Sequence, residues 1–202
     1  QDIQANYDHF NTAETSPEMM ARIDEKSRKS EEAWGRHGLA ITHQASGMAP
    51  FPSSGEHGWF SINRTLLSDG YVSETMDGKQ VARLMGDYTY NSVGTLRLRT
   101  VPNMWCHASC DHAVSTRLLP IDKATTEVRV IWLVDEKAEE GSDYCLAELM
   151  PFWQLTSEQD WKLCEAAQLG VQSSGYRPGP YSKNKEYNVE RFVRWYLNEL
   201  AK

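Results

Sequence analysis

Two segments of the 202-residue sequence carry side chains whose types and spacing suit chemistry. The first, MWCHASCDHAV, brings Cys106, His107, Cys110 and His112 close together. Thiol and imidazole groups are the usual ligands of zinc, so one interpretation is a zinc or iron site. On a single strand, however, residues of opposite parity point to opposite faces, and the two histidines converge only if a turn separates them. A hairpin with a turn-forming Asp111 is the more ordinary interpretation.

The second segment, TSEQDWKLCEAAQLG, predicts a helix that carries a carboxylate on its apolar face. A capping side chain at Thr156 or Ser157 and a stop at Gly170 bracket this helix. Asp160 then lies in the first turn, where the helix macrodipole favours an acid by about 0.3–1 kcal/mol. Three residues share its face and are expected to be buried: Leu163, Cys164 and Ala167. If Asp160 also points inward, it must be paired or coordinate a metal, and the spacing leaves both interpretations open.

Composition narrows the classes of partner and compartment. The net charge of −7 argues against a nucleic-acid backbone as partner, because phosphate binding needs clustered Lys and Arg. The sequence has no apolar run long enough for a membrane span and no secretory segment at its start. Four cysteines are too few for a disulfide framework in a chain of this length, which favours a reducing, cytoplasmic setting. Because the first residue is Gln1 rather than Met, we expect a piece of a longer protein.

Residues 1–56 are predicted to form an irregular and helical entry segment. SPEMMARIDEKSRKSEEAWGRHG predicts one amphipathic helix, capped near Ser16 and ended by Gly35 or Gly38. ASGMAPFPSSGEHG follows as a loop, because its Pro and Gly residues are too closely spaced for a regular element. Met48 and Phe51 could form a lid over a pocket, although a surface loop is the plainer interpretation.

Residues 57–202 are predicted to be the core of the domain, and they begin with strands. Five segments have strand character: GWFSINRTLL, YVSETMDGKQVARLM with a hairpin turn at Asp77–Gly78, GTLRLRTVPNMWCHAS, HAVSTRLLPI and TTEVRVIWLVD. Leu96 and Leu98 alternate with Arg97 and Arg99, which is typical of a sheet with one face toward water. The short turns between these segments predict an antiparallel meander.

After residue 135 the sequence predicts helices. EEGSDYCLAELMPFWQL is expected to form one helix, and the segment around Asp160 the next. The last segment, NKEYNVERFVRWYLNELAK, has one apolar stripe at helical spacing. This stripe consists of Val189, Phe192, Val193, Tyr196, Leu197 and Leu200. A run of antiparallel strands followed by helices predicts an α+β fold.

Four stretches, taken in order, resemble a known family. They are PNMWCHASCDHAVSTRLLPI, IWLVDEKAEEGSDY, SEQDWKLCEAAQLGVQSSGYRPGPYS and VERFVRWY. Together they resemble the C-terminal catalytic domain of Rieske-type aromatic-ring-hydroxylating oxygenase α subunits. The nearest branch is that of the glycine-betaine, carnitine and stachydrine monooxygenases, which act on quaternary ammonium compounds. The resemblance covers roughly residues 57–202.

This resemblance implies a START-like helix-grip fold, in which a curved antiparallel sheet wraps around a long C-terminal helix. It also implies a mononuclear non-haem Fe(II) held by two histidines and one carboxylate, and Asp160 occupies the position of that carboxylate. Strand parity, added to the resemblance, makes Trp105 and His107 the expected lining of a substrate pocket.

The implied reaction is the hydroxylation of a small substrate by O2, with N-demethylation of a quaternary ammonium compound as the specific expectation. Electrons would come from NADH through a separate reductase and a Rieske [2Fe–2S] cluster. The implied assembly is a homotrimer, and nucleic acid and membrane are not expected as partners.

The sequence departs from the family pattern in one respect. The iron histidines of the family lie in an N-x-x-x-D/E-x-x-H-x(4)-H run, and neither that run nor the Rieske ligands occur in this sequence. His107 and His112 copy the H-x(4)-H spacing, but they fall in a strand region and are not assigned the ligand role. We therefore expect a fragment that lacks tight iron binding and activity by itself. Two alternatives stay open: a non-enzymatic START-like module that binds a small ligand, and a zinc protein built on the first segment.

Overall fold

The computed structural model describes residues 17–39, 60–181 and 186–202. The chain divides into two compact units, residues 1–49 and 50–202. The predicted cap at Ser16 and the predicted lid residues Met48 and Phe51 lie outside the described residues.

The first unit contains helix α1, Pro17–Arg36, which confirms the predicted amphipathic helix. On its exposed surface, Arg28 forms ion pairs with Glu25 and Glu32, each about one turn away. Pairs at this spacing stabilise a helix by about 0.2–0.5 kcal/mol each. Gly38 follows the helix with a φ of 69°, a left-handed conformation that glycine adopts without steric cost at a helix end.

The second unit is built on a five-stranded antiparallel sheet in which neighbouring strands follow one another along the chain. The strands are β1 Phe60–Thr65, β2 Thr95–Thr100, β3 Met104–Ala108, β4 His112–Pro120 and β5 Thr126–Val134. The predicted meander is confirmed. Because helices follow the sheet along the chain, the fold is α+β. The hairpin predicted between the two histidines is confirmed as well, because β3 pairs directly with β4.

One face of this sheet carries most residues of the candidate functional site. A transverse row of paired residues runs across it from β2 to β5: Arg97, His107, Val114 and Trp132. Directly paired residues point to the same side, so this row and its alternate neighbours define one surface, here named the His107 face.

The prediction that Arg97 and Arg99 face open water is wrong. Both are half-buried, and they lie on the His107 face. Leu96 and Leu98, on the opposite face, are half-buried as well, so β2 does not show the expected contrast between a wet and a dry side. The reason is that a helix packs against the His107 face, as the contact of His107 with Trp153 shows.

The segment between β1 and β2 was predicted to contain strands, and that prediction is wrong because residues 66–94 contain none. The predicted turn at Asp77–Gly78 is nevertheless present. Gly78 has a φ of 76°, its carbonyl accepts a hydrogen bond from Val72 N–H at 2.8 Å, and a Cβ there would lie 2.2 Å from Tyr71 Cγ. Backbone N–H groups of this segment bond to a side chain instead of a neighbouring strand, as the site below shows.

Three helices follow the sheet: α2 Leu146–Leu149, α3 Pro151–Val171 and α4 Tyr187–Leu200. The predicted start of α3 at Thr156 or Ser157 is wrong, because a proline at the first helical position begins the helix at Pro151. Thr156 Oγ1 instead donates to the carbonyl of Phe152 at 2.9 Å, within the helix. Asp160 therefore lies in the middle of α3, and the macrodipole argument does not apply to it.

The burial predicted for the face of α3 is also wrong. Leu163 is 70% exposed, and Cys164 and Ala167 are exposed too. Helix α4 has the predicted stripe, yet Phe192 and Leu200 within it are exposed in the same way. Within the described residues, these parts of the two apolar sides are therefore not buried. Among the helices of this part of the chain, none combines the length and apolar character that a membrane span requires.

Candidate functional site

A buried carboxylate, Asp111, organises the tip of the β3–β4 hairpin. Ser109 N–H donates to the carbonyl of His112 at 2.9 Å, which closes the turn. The Asp111 side chain is fully buried and accepts four hydrogen bonds. The donors are Ser73 Oγ at 2.6 Å, His112 Nδ1 at 2.9 Å, Val81 N–H at 2.7 Å and Ala82 N–H at 3.2 Å. The residue expected to make a surface turn therefore joins the hairpin to the segment before β2.

Hydrogen bonding keeps this carboxylate ionised. Burial acts to raise the pKa of Asp111, but the hydrogen bonds from His112, Ser73 and Val81 N–H outweigh burial and hold the pKa below its ordinary value. An ionised carboxylate only accepts hydrogen bonds, so the proton of the shared contact sits on His112 Nδ1. His112 Nε2 is also buried, and it has no hydrogen-bond partner among the described residues.

The two cysteines of the hairpin are at least partly buried. Cys110 is buried, and its thiol donates to the carbonyl of Val72 at 3.3 Å. Burial, together with the charge of Asp111, raises the pKa of Cys110 to about 12. Burial also raises the pKa of the Cys106 thiol. No group of three His, Cys, Asp or Glu side chains that could hold a metal forms in the described ranges, so the zinc alternative has no ligand set there.

A second cluster lies next to the first and connects the sheet to α3. The buried Glu74 carboxylate accepts a hydrogen bond from Thr95 Oγ1 at 3.0 Å. Its other oxygen lies 3.5 Å from His107 Nδ1, and the two atoms form no hydrogen bond. The ring of His107 meets the indole of Trp153 edge to face, with 4.7 Å between centroids.

The pairing register of β3 and β4 shows whether Trp105, His107 and His112 lie on one face of the sheet. Trp105 and His107 share one face of β3 and are both half-buried, as their parity predicted. His112 lies on the same face, because the turn at residues 109–111 reverses the chain. The condition set for convergence of the two histidines is therefore met, but each contacts a different carboxylate.

The sequence analysis missed two members of this cluster, Glu74 and Trp153. Glu74 was assigned to a strand that does not form, so nothing marked it as inward. Trp153 was assigned to the helix before α3, and only the uninterrupted helix from Pro151 brings it to the sheet. The aromatic residue at the start of a proline-initiated helix was the available signal.

Beyond Trp153, α3 borders a groove of 610 Å³. Trp161, Cys164 and Gln168 line one wall, and residues 122–126 at the β4–β5 turn line the other together with Val128. Val128 belongs to the same alternating set of β5 as Trp132, which is on the His107 face. Helix α3 therefore runs along this face of the sheet.

Asp160 is exposed on α3. It follows Trp153 by seven residues, which is close to two turns of 3.6 residues, so both side chains leave the helix in nearly the same direction. Trp153 contacts the sheet, so the spacing directs Asp160 toward the same side of α3.

Three ligand-type side chains do not come together anywhere in residues 17–39, 60–181 and 186–202. No group of three His, Cys, Asp or Glu residues in these ranges could hold a metal ion. The implied iron site needs two histidines and a carboxylate, so the described residues by themselves do not fit an iron ion.

Comparison with known proteins identifies the family of this chain. A family model described as "Ring hydroxylating alpha subunit (catalytic domain)" matches residues 10–202, nearly the whole chain. The chain belongs to this family. Its buried hairpin tip and its sheet-packed α3 are therefore features of a ring-hydroxylating α-subunit catalytic domain.

Similar proteins carry a consistent name. A glycine betaine monooxygenase oxygenase subunit of Chromohalobacter salexigens is 43% identical over 140 residues, which are 69% of this chain and 32% of the relative. A protein of the same name from Pseudomonas aeruginosa PAO1 is 35% identical over 187 residues, 92% of this chain and 41% of the relative. Another, from Pseudomonas aeruginosa UCBPP-PA14, is 41% identical over 140 residues, 69% of this chain and 33% of the relative. The chain thus spans between a third and two fifths of the length of these relatives.

Proposed function

We propose that this chain is the catalytic-domain portion of a Rieske non-haem iron oxygenase that hydroxylates a small quaternary ammonium compound. The observation that carries the proposal is the 43% identity, over 69% of the chain, to a glycine betaine monooxygenase oxygenase subunit. The family match over residues 10–202 supports the same reaction class.

The proposed chemistry removes one N-methyl group. One atom of O2 enters a C–H bond of the methyl group, and the other leaves as water after the uptake of two electrons and two protons. The N–CH2OH group then loses its hydroxyl proton, and the C–N bond breaks with its electron pair remaining on nitrogen. The products are formaldehyde and the tertiary amine. Electrons come from NADH through a reductase and a Rieske [2Fe–2S] cluster, and iron, when bound, supplies the activation of O2.

Asp160 is the residue of this chain that we propose as an iron ligand. Its direction along the sheet side of α3 supports this role, as does its exposure, since a ligand must be free to reach a metal. The two histidine ligands are not assigned to any residue of this chain, and we propose that they lie upstream of Gln1 in the complete protein.

The His107 face is the proposed substrate-facing surface. Trp105 and His107 lie on it, and Trp153 covers part of it from α3. Indole faces attract quaternary ammonium groups through their negative quadrupole, which suits the proposed substrate. We also propose the START-like helix-grip arrangement, since α4 has a long apolar stripe that needs a surface to bury it. The four free thiols favour a cytoplasmic setting, and the family resemblance favours a homotrimer.

The test uses the complete protein that carries this chain, supplied with its reductase, NADH and glycine betaine. We expect stoichiometric formaldehyde release, and loss of bound iron together with at least a hundredfold loss of activity in Asp160→Asn. Glu158→Gln is the matched control, because it removes an exposed carboxylate from the same helix. Formaldehyde release with normal iron content in Asp160→Asn would remove Asp160 from the site. Absence of formaldehyde from every methylated amine in the wild type would end the proposed function.

A further inference from the structure

We infer that the His107 face carries an anion subsite, in which Arg97 and the indole N–H of Trp153 bind the carboxylate of a small ligand. The anion subsite rests on the unpaired donors of this face. The choice of a betaine, which joins a carboxylate to a quaternary ammonium group, rests on the proposed function.

Several buried N–H donors of this face have no acceptor. Among the described residues, three such nitrogen atoms belong to the His107 row or to the helix residue above it: Arg97 Nε, Trp132 Nε1 and Trp153 Nε1. A buried donor without an acceptor costs free energy, and buried polar groups in folded proteins are nearly always paired. Such a concentration of unpaired donors in one place indicates that an acceptor belongs there.

Two of these donors belong to residues that neighbour His107. Arg97 is its direct partner on β2, and directly paired residues have Cα atoms about 4.5–5.5 Å apart. Trp153 approaches the same ring from α3, with 4.7 Å between ring centroids. A group beside the imidazole can therefore meet a guanidinium from the sheet and an indole N–H from the helix. Trp132 lies two strands further along the row and marks its far end.

The sign of the missing group follows from Arg97. Its side chain is half-buried and forms no ion pair within the described ranges. A guanidinium is always charged and presents a planar fork of donors that matches a carboxylate. Water would pair the N–H groups but would leave the partly desolvated charge without a counter-charge. Glu74, the buried carboxylate beside His107, is already engaged by Thr95 and lies 3.5 Å from His107 Nδ1.

The chemistry of the whole face suits a zwitterion. Arg97 provides the anionic end with a partner, and Trp105, on the same face as Arg97, provides an indole for a cationic end. Arg97 is accordingly a specificity residue, which distinguishes a betaine from the corresponding alcohol.

The experiment measures binding of three probes to the complete protein by calorimetry: glycine betaine, choline and acetate. Choline keeps the trimethylammonium group and lacks the carboxylate, whereas acetate keeps only the carboxylate. We expect Arg97→Gln to weaken glycine betaine and acetate by about 10- to 100-fold and to leave choline nearly unchanged. Trp153→Phe, which keeps a ring against His107, should weaken the same two probes by about three- to tenfold. Arg129→Gln is the matched control, because it removes an exposed arginine from the neighbouring sheet region.

The outcomes separate the inference from the proposed function. Unchanged glycine betaine and acetate affinity in Arg97→Gln would overturn the inference and leave water as the acceptor. An equal loss of choline affinity would overturn it as well, because the substitution would then act through the fold. Arg97→Lys keeps the charge without the fork and covers the case in which the glutamine variant does not fold, with an intermediate loss expected. If acetate binds in an Arg97-dependent way while glycine betaine does not bind, the anion subsite stands and the betaine function fails.

Discussion

Asp111 Oδ1 lies 2.9 Å from His112 Nδ1, and neither side chain reaches solvent. The other carboxylate oxygen accepts the backbone N–H groups of Val81 and Ala82, which lie about thirty residues earlier in the chain. One ionised side chain thus connects a hairpin tip to a long segment that has no strand of its own. The conformation of that segment depends on a charge rather than on a hydrogen-bonded ladder.

Removing this carboxylate should destabilise the domain strongly. In Asp111→Ala, four donors lose their acceptor inside the protein, so we expect a loss of about 3–5 kcal/mol in the free energy of unfolding. Urea denaturation followed by circular dichroism measures it. Glu136→Gln, at an exposed site after β5, should change the same quantity by no more than about 0.5 kcal/mol. A similarly small effect of Asp111→Ala would show that the four contacts do not hold the segment.

The contribution of Asp111 should also depend on pH. Its pKa is lowered on folding from an ordinary value of 3.8, because the hydrogen bonds from His112, Ser73 and Val81 N–H outweigh burial. The native state therefore favours the ionised form, and the stability this provides is complete above the ordinary pKa. It is lost as the pH falls below about 4 and through the lower folded pKa. We expect the stability gap between wild type and Asp111→Asn to narrow from pH 5 to pH 3, and a constant gap would contradict the assignment.

The sheet could be predicted from the sequence because its signals are local. Alternation and short turns located the segments of all five strands, although β2 and β3 were predicted as one segment. They also gave the meander order and the hairpin between Cys106 and His112. The segment before β2 could not be predicted in this way. Its Asp77–Gly78 turn is local and was found, but Val81 and Ala82 bond to Asp111, and no pattern within the segment indicates a carboxylate so distant in sequence.

Helix α3 and Arg97 show a second limit of prediction from the sequence. Capping residues at Thr156 and Ser157 are a genuine start signal, yet Pro151 begins the helix earlier and turns Thr156 into an interior residue. Burial was assigned from periodicity alone, which gives the relative orientation of side chains but not the element that packs on them. For the same reason Arg97 was assigned to water, although α3 approaches its face of the sheet.

The cysteines should differ sharply in reactivity. Cys110 is buried, and at its pKa of about 12 only about one thiol in 10,000 is ionised at pH 8. Cys164 is exposed on α3. We expect iodoacetamide to modify Cys164 first and Cys110 at least about 100-fold more slowly in the native protein. Mass spectrometry of tryptic peptides over time measures both rates. Comparable rates for the two cysteines in the native protein would contradict the buried position of Cys110.

The apolar stripe of α4 gives a test of the proposed helix-grip arrangement. Phe192 stacks on Tyr196 with 6.4 Å between centroids, and its side chain is 43% exposed in the described part of the chain. If the stripe packs against other parts of the complete protein, Phe192→Ala should cost about 3–5 kcal/mol in the free energy of unfolding, since a large ring leaves a cavity. An exposed helix face would cost no more than about 0.5 kcal/mol.

The matched control is Arg194→Ala on the polar side of the same helix, where Arg194 pairs with Glu190 at 2.6 Å. An exposed pair of this kind contributes about 0.3–0.5 kcal/mol, so the control should change stability only slightly. Both variants are compared by urea denaturation of the complete protein. A large loss for Phe192→Ala with a small one for Arg194→Ala supports a docked α4, because only burial makes the two sides of one helix so unequal. Two small and similar losses would show that the stripe stays in solvent, and the helix-grip arrangement would then be wrong for this chain.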